Sequence, residues 1–299
     1  MAPYQNVAIA GATGNLGPVI VSHLLAANYK VTALTRHGSN ATQSLPSAVT
    51  STPVDYTSIA SLTSALQGQD VLISTLNPAE VDQIPLFSAA ISAGVQRILP
   101  GEFGCDPTHP AVESNPFFAK KKEVKEWVEA HAGEGPGKMS YTLVSCGPFL
   151  DWCLGTPLLV NWQGATEVYG GGERRTSATL LEDVGRAVVG TLKHPEETRD
   201  RAVFVQSTTI SQKQILEIAG RVKGKAYETT EWNTEELWRD GLEGLQKGDR
   251  SKLFGLLKVA IWGENVGSVF DQSKLDNELF GVKELSEKEL EEVVAKYAK

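Results

Sequence analysis

A run of three glycines between two apolar segments is the strongest constraint on how this chain folds. The glycines lie in Gly11-Ala12-Thr13-Gly14-Asn15-Leu16-Gly17, and the apolar residues 7–10 before them fit a short buried strand. After the glycines, Ile20, Leu24 and other apolar residues recur at helical spacing. The pattern therefore predicts a strand, a glycine turn and a helix.

A turn of this kind suits the pyrophosphate of a dinucleotide. Glycines let the backbone pass close to the phosphates, and the free N–H groups at the positive end of the helix dipole stabilise the anion. A tight turn without a ligand is the alternative, since glycine triplets also occur in ordinary turns. On the first interpretation the cofactor-binding residues here are Gly11, Thr13, Gly14, Asn15, Leu16 and Gly17.

The next predicted strand, residues 30–36, indicates which dinucleotide is bound, because it ends in Arg36. An acidic residue at this place would bind the ribose hydroxyls of NAD, whereas an arginine can pair with the 2′-phosphate of NADP. Arg36 therefore favours NADP(H), and a solvated loop arginine is the alternative. Further on, Asp55 and Tyr56 end a short third strand, where they either flank the adenine or serve as a helix cap and a packed ring.

Strands and helices continue to alternate after this point. Strands are predicted over residues 71–77 and 95–100, with a helix over 84–93 between them. This repetition predicts an α/β fold, a Rossmann-type doubly wound parallel sheet. Because ligands collect at the carboxyl ends of such strands, the cofactor is expected to contact Thr75, Leu76 and Asn77.

A helix predicted over residues 116–131 carries one lysine on its apolar face. Lys121 shares a stripe with Val124 and Val128, whereas Lys125 and several other charged residues are predicted to point away. Burying an unpaired ammonium group is unfavourable, so Lys121 is expected to meet an anion, a polar cleft or a ligand. In a dinucleotide-binding fold this helix borders the nicotinamide, so the predicted roles of Lys121 are to bind the ribose hydroxyls of the cofactor, to donate a proton, or to do both. The alternative is that its aliphatic stem lies on apolar surface while the ammonium group reaches water.

Length, charge and cysteine usage narrow the function. A chain of 299 residues with 41% apolar content can bury a full core, and its net charge of −8 argues against a nucleic-acid surface. No apolar run approaches the ~20 residues that cross a bilayer, and the first residues do not resemble a signal peptide, so a cytoplasmic protein is expected. The three cysteines form no Cys-x-x-Cys pair, so neither a metal site nor a disulfide is expected.

The second half predicts a smaller, mostly helical lobe that binds the substrate. We expect residues 1–150 to form the NADP-binding domain and 151–299 mainly the substrate lobe, with segments near 180–210 returning to the first domain. Helix caps are predicted from the spacings Thr179-x-x-Glu182, Ser211-x-x-Gln214 and Ser286-x-x-Glu289. The aromatic residues from Trp232 onward either line a substrate pocket or pack in a core.

Together these features resemble the isoflavone reductase-like, NmrA-like branch of the short-chain dehydrogenase superfamily. The likeness rests on the opening GATGNLG, the strand end Thr35-Arg36 and the run Arg97-Ile98-Leu99-Pro100-Gly101-Glu102-Phe103-Gly104. Where the superfamily usually has Tyr-x-x-x-Lys, this chain has Phe117-Phe118-Ala119-Lys120-Lys121, so the tyrosine is missing. The branch includes phenylcoumaran benzylic ether and pinoresinol-lariciresinol reductases.

The resemblance implies an NADP(H)-dependent reductase of an aromatic or polyketide-like secondary metabolite, with Lys121 as the catalytic residue that assists proton transfer. It also implies that the turn Gly147-Pro148-Phe149 passes beside the nicotinamide and binds the cofactor. Gly101 and His109 differ from the family's usual Ser and Arg. Two other functions stay open, a dinucleotide-sensing regulator without catalysis and a cofactor-holding enzyme with a non-redox reaction. The oligomeric state is open too, with a homodimer as one candidate.

Overall fold

A parallel β-sheet forms the centre of the molecule. The computed structural model describes residues 4–39 and 43–299. Within them, seven strands pair in the order β3-β2-β1-β4-β5-β6-β9, and all six pairings are parallel. This confirms the predicted doubly wound sheet. The strands are β1 (Asn6–Ala10), β2 (Lys30–Arg36), β3 (Thr50–Val54), β4 (Val71–Ser74), β5 (Arg97–Leu99), β6 (Ser140–Ser145) and β9 (Arg201–Phe204).

Helices cover both faces of this sheet. The apolar side chains of α1 and α7 share one buried core with the sheet, and those of α2, α3 and α5 share another. The helices of the first half are α1 (Gly17–Ala26), α2 (Ile59–Leu66), α3 (Ile84–Ala93), α4 (Pro110–Glu113) and α5 (Ala119–Ala130), and the second half adds α6 (Leu150–Leu154) and α7 (Leu181–Lys193).

The central strand β1 shows why the sheet is buried on both sides. Side chains alternate across a strand, so Val7 and Ile9 enter the core below α1 while Ala8 and Ala10 enter the opposite core. All four side chains are fully buried. A strand without a polar face can sit only between two helical layers, which explains its place in the middle of the sheet.

The rest of the second half builds a third core around Trp262. Two small sheets flank it: β7 (Thr166–Val168) pairs in parallel with β11 (Thr229–Glu231), and β8 (Arg175–Ala178) pairs antiparallel with β10 (Thr208–Ser211). The remaining helices are α8 (Gln212–Lys223), α9 (Thr234–Gln246), α10 (Leu253–Trp262), α11 (Asn277–Phe280) and α12 (Glu287–Tyr297). The domain boundary near residue 150 stays a prediction.

Two of the three predicted helix caps are confirmed. The Ser211 hydroxyl accepts from the Gln214 N–H, and Ser286 forms a full capping box with Glu289. The prediction at Thr179 is wrong, because Leu180 precedes α7 and supplies no side-chain cap. The buried Thr179 hydroxyl instead lies 2.5 Å from the Cys146 carbonyl oxygen and 2.9 Å from that of Val205, so it ties together the ends of β6 and β9.

Two further observations concern membrane-spanning helices and the cysteines. In the part of the chain that the structure describes, no helix combines the length and apolarity needed to cross a membrane. Cys105, Cys146 and Cys153 are free thiols.

Two helical glycines provide a test of the packing between α1 and α7. A Cβ atom at Gly185 would lie 2.4 Å from the His23 ring, whereas one at Gly255 in α10 would meet nothing closer than 3.5 Å. We expect Gly185→Ala to lower the free energy of unfolding by about 1–3 kcal/mol, because overpacking forces the helices apart. Gly255→Ala should be neutral or stabilising by up to about 1 kcal/mol, because alanine favours helix. Urea unfolding measures both, and equal effects would contradict the expectation.

Candidate functional site

The glycine turn is held by close backbone contacts. Gly11 has a φ of 87°, and a Cβ atom on it would lie 2.4 Å from the Thr75 Oγ1. A Cβ atom on Gly17 would lie 2.2 Å from the Gly11 carbonyl oxygen. The Gly14 N–H donates to that same oxygen at 3.0 Å. Both Gly11 and Gly17 are therefore required by the geometry of the turn, whatever it binds.

A cavity of about 570 Å³ opens in front of this turn, and we call it the turn cavity. Eight of the predicted cofactor residues line it: Gly11, Thr13, Gly14, Asn15, Arg36, Thr75, Leu76 and Asn77. These residues come from three separate segments that converge at the carboxyl ends of β1, β2 and β4, as the parallel sheet requires. At the first turn of α1 no side chain caps the helix, which leaves backbone donors for an anion.

Leu16 and Gly17 are the two residues of the motif that do not line the turn cavity. Both are buried. Leu16 packs into the core below α1, and Gly17 faces the turn's own backbone. Their part in any ligand binding is therefore to shape the turn.

The turn cavity is also lined by residues that the sequence analysis did not assign to the cofactor, or for which it kept two roles open. These are Ala12, Leu34, Thr35, Ser39, Tyr56, Glu80 and Val81. Tyr56 donates its hydroxyl to the Leu34 carbonyl oxygen at 3.0 Å, and burial raises the pKa of its phenol to about 12. Asp55 is absent from the lining, and its carboxylate instead accepts from the N–H and hydroxyl of Thr57. The cap of α2 is Ser58. The Tyr56 ring thus lies at the turn cavity, whereas the Asp55 carboxylate stabilises the turn that contains Thr57.

Lys121 lies on α5, near the carboxyl ends of β5 and β6. Its helix follows a 3₁₀ turn, Pro116–Phe118, that begins after the Asn115 cap. The partly exposed Lys121 donates its ammonium group to the backbone carbonyl oxygen of Glu102. A Cβ atom on Gly104 would lie 3.3 Å from the Lys121 Nζ. The inward lysine is therefore held against the loop that follows β5.

A small enclosed space lies beside Lys121, and we call it the lysine pocket. Its lining combines apolar side chains with ionisable ones: Glu102, Cys105, Pro107, Val112, Glu113, Phe118, Lys121, Lys122 and Lys125. Burial raises the pKa of the Cys105 thiol to about 11, so this thiol is protonated at neutral pH. His109 accepts the Ala111 N–H through Nδ1 and caps α4.

The prediction that Lys125 points away from the apolar face is wrong. Only 11% of its side chain is exposed, and its ammonium group lies 2.6 Å from the Glu113 carboxylate. The short helix α4 places Glu113 against α5, and helical periodicity alone contains no information about that neighbour. Lys125 therefore lines the lysine pocket together with Lys121 and Lys122.

Glu102 is the acidic residue of this region that sequence reasoning did not assign. Its side chain is 4% exposed, and its Oε1 has no hydrogen-bond partner among the described residues. Burial raises the pKa of the carboxyl group to about 7, while the ammonium groups of Lys121 and Lys125 act in the opposite direction. An acidic residue in the loop that follows the carboxyl end of a strand, where ligands collect, was the signal in the sequence that could have identified it.

The turn Gly147-Pro148-Phe149 meets the same loop as Lys121. The N–H groups of Cys146 and Gly147 both donate to the Gly104 carbonyl oxygen, at 2.9 and 2.8 Å. Gly147 has a φ of 62°, and a Cβ atom on it would lie 2.0 Å from the Ser177 carbonyl oxygen. None of these three turn residues lines the turn cavity.

Gly101 connects the two regions. A Cβ atom on it would lie only 2.7 Å from the carbonyl oxygen of Leu76, a residue that lines the turn cavity. Residues 101–104, which we call the bridging loop, thus touch Leu76 at one end and Lys121 and Gly147 at the other. The close approach also explains why glycine occupies position 101.

A further cavity of about 920 Å³ lies in the C-terminal half and includes Trp232, Trp238 and Arg174 in its lining. It shares no residue with the turn cavity or the lysine pocket. We place the candidate site at the other two because they contain the glycine turn and the buried ionisable groups. Across residues 4–39 and 43–299, no group of three or more His, Cys, Asp or Glu could hold a metal ion.

Comparisons with known proteins agree on one family. A family model described as the NmrA-like family matches residues 3–247. Oxidoreductase aprR of Aspergillus flavus is 35% identical over 248 residues, covering 81% of this chain and 82% of the relative. Oxidoreductase poxI of Penicillium oxalicum is 30% identical over 295 residues, covering 96% of this chain and 92% of the relative. The structure of AtPrR2 with NADP+ and (+)pinoresinol shares 23% identity and a TM-score of 0.80, covering 98% of this chain and 99% of that one.

The raised pKa of Glu102 predicts a change of stability with pH. Its carboxyl group binds a proton more tightly in the folded chain, so its contribution to stability is present below pH 4.5 and is lost as pH rises through about 7. Glu102→Gln removes this titration. We expect the stability of the variant relative to the parent to rise between pH 5 and 8, by on the order of 2–3 kcal/mol.

Urea unfolding at several pH values measures this difference. Glu123→Gln is a matched control, because that carboxylate is exposed and pairs with Lys120 on the surface of α5. The free energy of unfolding of Glu123→Gln relative to that of the parent should stay constant between pH 5 and 8. A constant difference for Glu102→Gln as well would contradict the prediction.

Proposed function

This chain belongs to the NmrA-like family, and on that premise we propose that it is an NADPH-dependent reductase of an aromatic or polyketide-like secondary metabolite. The observation that carries the proposal is the bridging loop, residues 101–104. It joins the turn cavity, which fits a dinucleotide, to Lys121, which can supply a proton. A reductase needs both groups next to one acceptor carbon.

The turn cavity supports the cofactor assignment. Gly11 and Gly14 leave room for phosphate oxygens near the start of α1, where unbonded N–H groups and the helix dipole favour an anion. Arg36 at the end of β2 would pair with the 2′-phosphate, and the Tyr56 ring would lie near the adenine. NADPH, when bound, supplies the hydride.

Lys121 is the proposed proton donor. Its ammonium group is held by the Glu102 carbonyl oxygen, which accepts a hydrogen bond but removes no charge. The ammonium group would donate a proton to a substrate oxygen or carbon that gains negative charge as the hydride arrives. No tyrosine occupies the place of the superfamily's usual acid, since that position is Phe117, so the lysine would act directly or through water.

The substrate class is inferred from the walls of the site and from relatives. Pro107, Val112 and Phe118 make one side of the lysine pocket apolar, as an aromatic body requires. Helix α10 of the C-terminal half packs against Phe118 through Ala260 and Leu257, so the proposed substrate lobe closes this side. The structure of the relative AtPrR2 contains NADP+ and (+)pinoresinol. Lignan-like aromatic compounds are therefore a suitable first set of acceptors to screen with this protein.

Replacing Arg36 tests the choice of cofactor. Arg36→Ala should weaken NADPH binding about 10- to 100-fold, because a charge-assisted pair with the 2′-phosphate is lost, and should leave NADH binding unchanged. Lys30→Ala is the matched control, since Lys30 is an exposed cation at the opposite end of β2. Calorimetric titration with both cofactors measures the effect. An unchanged ratio of NADPH to NADH affinity in Arg36→Ala would refute the 2′-phosphate contact.

Replacing Lys121 tests the reaction. We expect Lys121→Met to lower turnover at least about 100-fold while NADPH affinity stays within a few-fold of the parent, because only proton transfer is removed. Lys120→Met is the control, since Lys120 is exposed and pairs with Glu123. NADPH oxidation is followed with (+)pinoresinol, aromatic ketones and enones as probe acceptors. Tight NADPH binding without turnover of any acceptor would favour a dinucleotide sensor instead.

A further inference from the structure

A buried carboxyl group lines the same pocket as the proposed proton donor, and one of its oxygens has no hydrogen-bond partner among the described residues. Glu102 is 4% exposed, its buried Oε1 accepts no hydrogen bond from the described residues, and it shares the lysine pocket with Lys121. Buried polar groups are normally paired, so an unpaired carboxyl at a site is a sign of function.

The hydrogen bonds nearby argue against a purely structural ion pair. Lys121 donates to the backbone oxygen of Glu102 rather than to its carboxylate, and Lys125 pairs with Glu113 at 2.6 Å. The carboxyl of Glu102 therefore remains free to hold a proton, while one residue supplies both the anchor of the Lys121 ammonium group and the neighbouring acid.

We propose that Glu102 is a positioning residue that stores a proton and returns it to Lys121 after each reduction. The inference rests on the proposed reductase function. Hydride from NADPH forms the new C–H bond of the substrate and leaves NADP+. The electron pair of the reduced double bond takes a proton as an N–H bond of Lys121 breaks. The O–H bond of Glu102 then breaks, its proton passes through a water molecule in the lysine pocket to restore that N–H bond, and the resulting carboxylate takes a proton from solvent water.

The surroundings suit this exchange. The charged or titratable groups that act on Glu102 or on its neighbour Cys105 come from α5 and from the bridging loop and its continuation: Lys121, Lys125, Glu129 and Asp106. Glu113 from α4 already neutralises Lys125. Burial keeps the pKa of Glu102 at about 7, so the group can both hold and release a proton near neutral pH. The thiol of Cys105 stays protonated and does not compete as a base.

The first experiment compares the pH dependence of turnover in the parent, Glu102→Gln and Glu102→Asp. With the probe acceptor that gives turnover in the screen, the parent should lose activity above pH 7. Glu102→Gln should be about tenfold slower below pH 7 and lack this inflection. Glu102→Asp should restore an inflection, because it restores a titrating carboxyl. NADPH affinity should stay unchanged in both variants, and identical pH profiles for parent and Glu102→Gln would overturn the proposal.

A second experiment needs no turnover. Acetic anhydride labels uncharged amines, and peptide mass spectrometry reports the labelling rate of Lys121 in the folded protein. Above pH 7.5 the ionised Glu102 stabilises the neighbouring ammonium group, so Glu102→Gln should raise the Lys121 rate several-fold, with no change at pH 6. Lys120 in the same sample is the internal control.

The two experiments separate the two ideas. A Lys121 labelling rate that does not respond to Glu102→Gln at any pH would overturn the Glu102–Lys121 pair even if the enzyme reduces a probe acceptor. A labelling response combined with no turnover of any acceptor would overturn the reductase, and with it the proton-return step, while the electrostatic pair would stand.

Discussion

The double hydrogen bond to the Gly104 carbonyl oxygen organises the region on which the rest of the site depends. The Gly104 oxygen accepts hydrogen bonds from the N–H groups of Cys146 and Gly147. These two bonds join the bridging loop after β5 to the turn after β6. At its other end the loop presses Gly101 against the Leu76 carbonyl oxygen. Neighbouring parallel strands end at one edge of the sheet, so a loop of four residues can span from the turn cavity to Lys121.

Electrostatics in this region follow from burial rather than from the overall charge. The chain has a net charge of −8, yet three lysines line the lysine pocket on α5. Lys125 is neutralised by Glu113, Lys121 is held by a carbonyl oxygen, and Glu102 is buried deeply enough to keep its proton near neutral pH. The two acids differ because the hydrogen bond from Lys125 lowers the pKa of Glu113, whereas burial raises the pKa of Glu102.

Sequence patterns identified most of the fold, and the reason is local. A few residues suffice to identify each of the first three elements, which are the strand from Val7 to Ala10, the glycine turn and the helix after it. The reason is that burial on two faces, a positive φ and helical periodicity each restrict which residues can occupy a position. Eight predicted cofactor residues do line one cavity, since parallel strands bring their carboxyl ends together. The predictions failed where a distant segment decides the outcome: Thr179 ties two strand ends instead of capping a helix, and Lys125 turns toward α4.

The amino-acid sequence by itself determined the strand-turn-helix opening, the parallel sheet, the basic residue at the end of β2 and the presence of a lysine on the inner face of α5. Only the tertiary structure decided that Glu102 is buried beside that lysine, with no hydrogen-bond partner for its Oε1 among the described residues. It also decided that Tyr56 borders the turn cavity and that the bridging loop joins the two regions. The physical reason is that periodicity records which face of an element is buried. Which groups meet on that face depends on elements far apart in the chain.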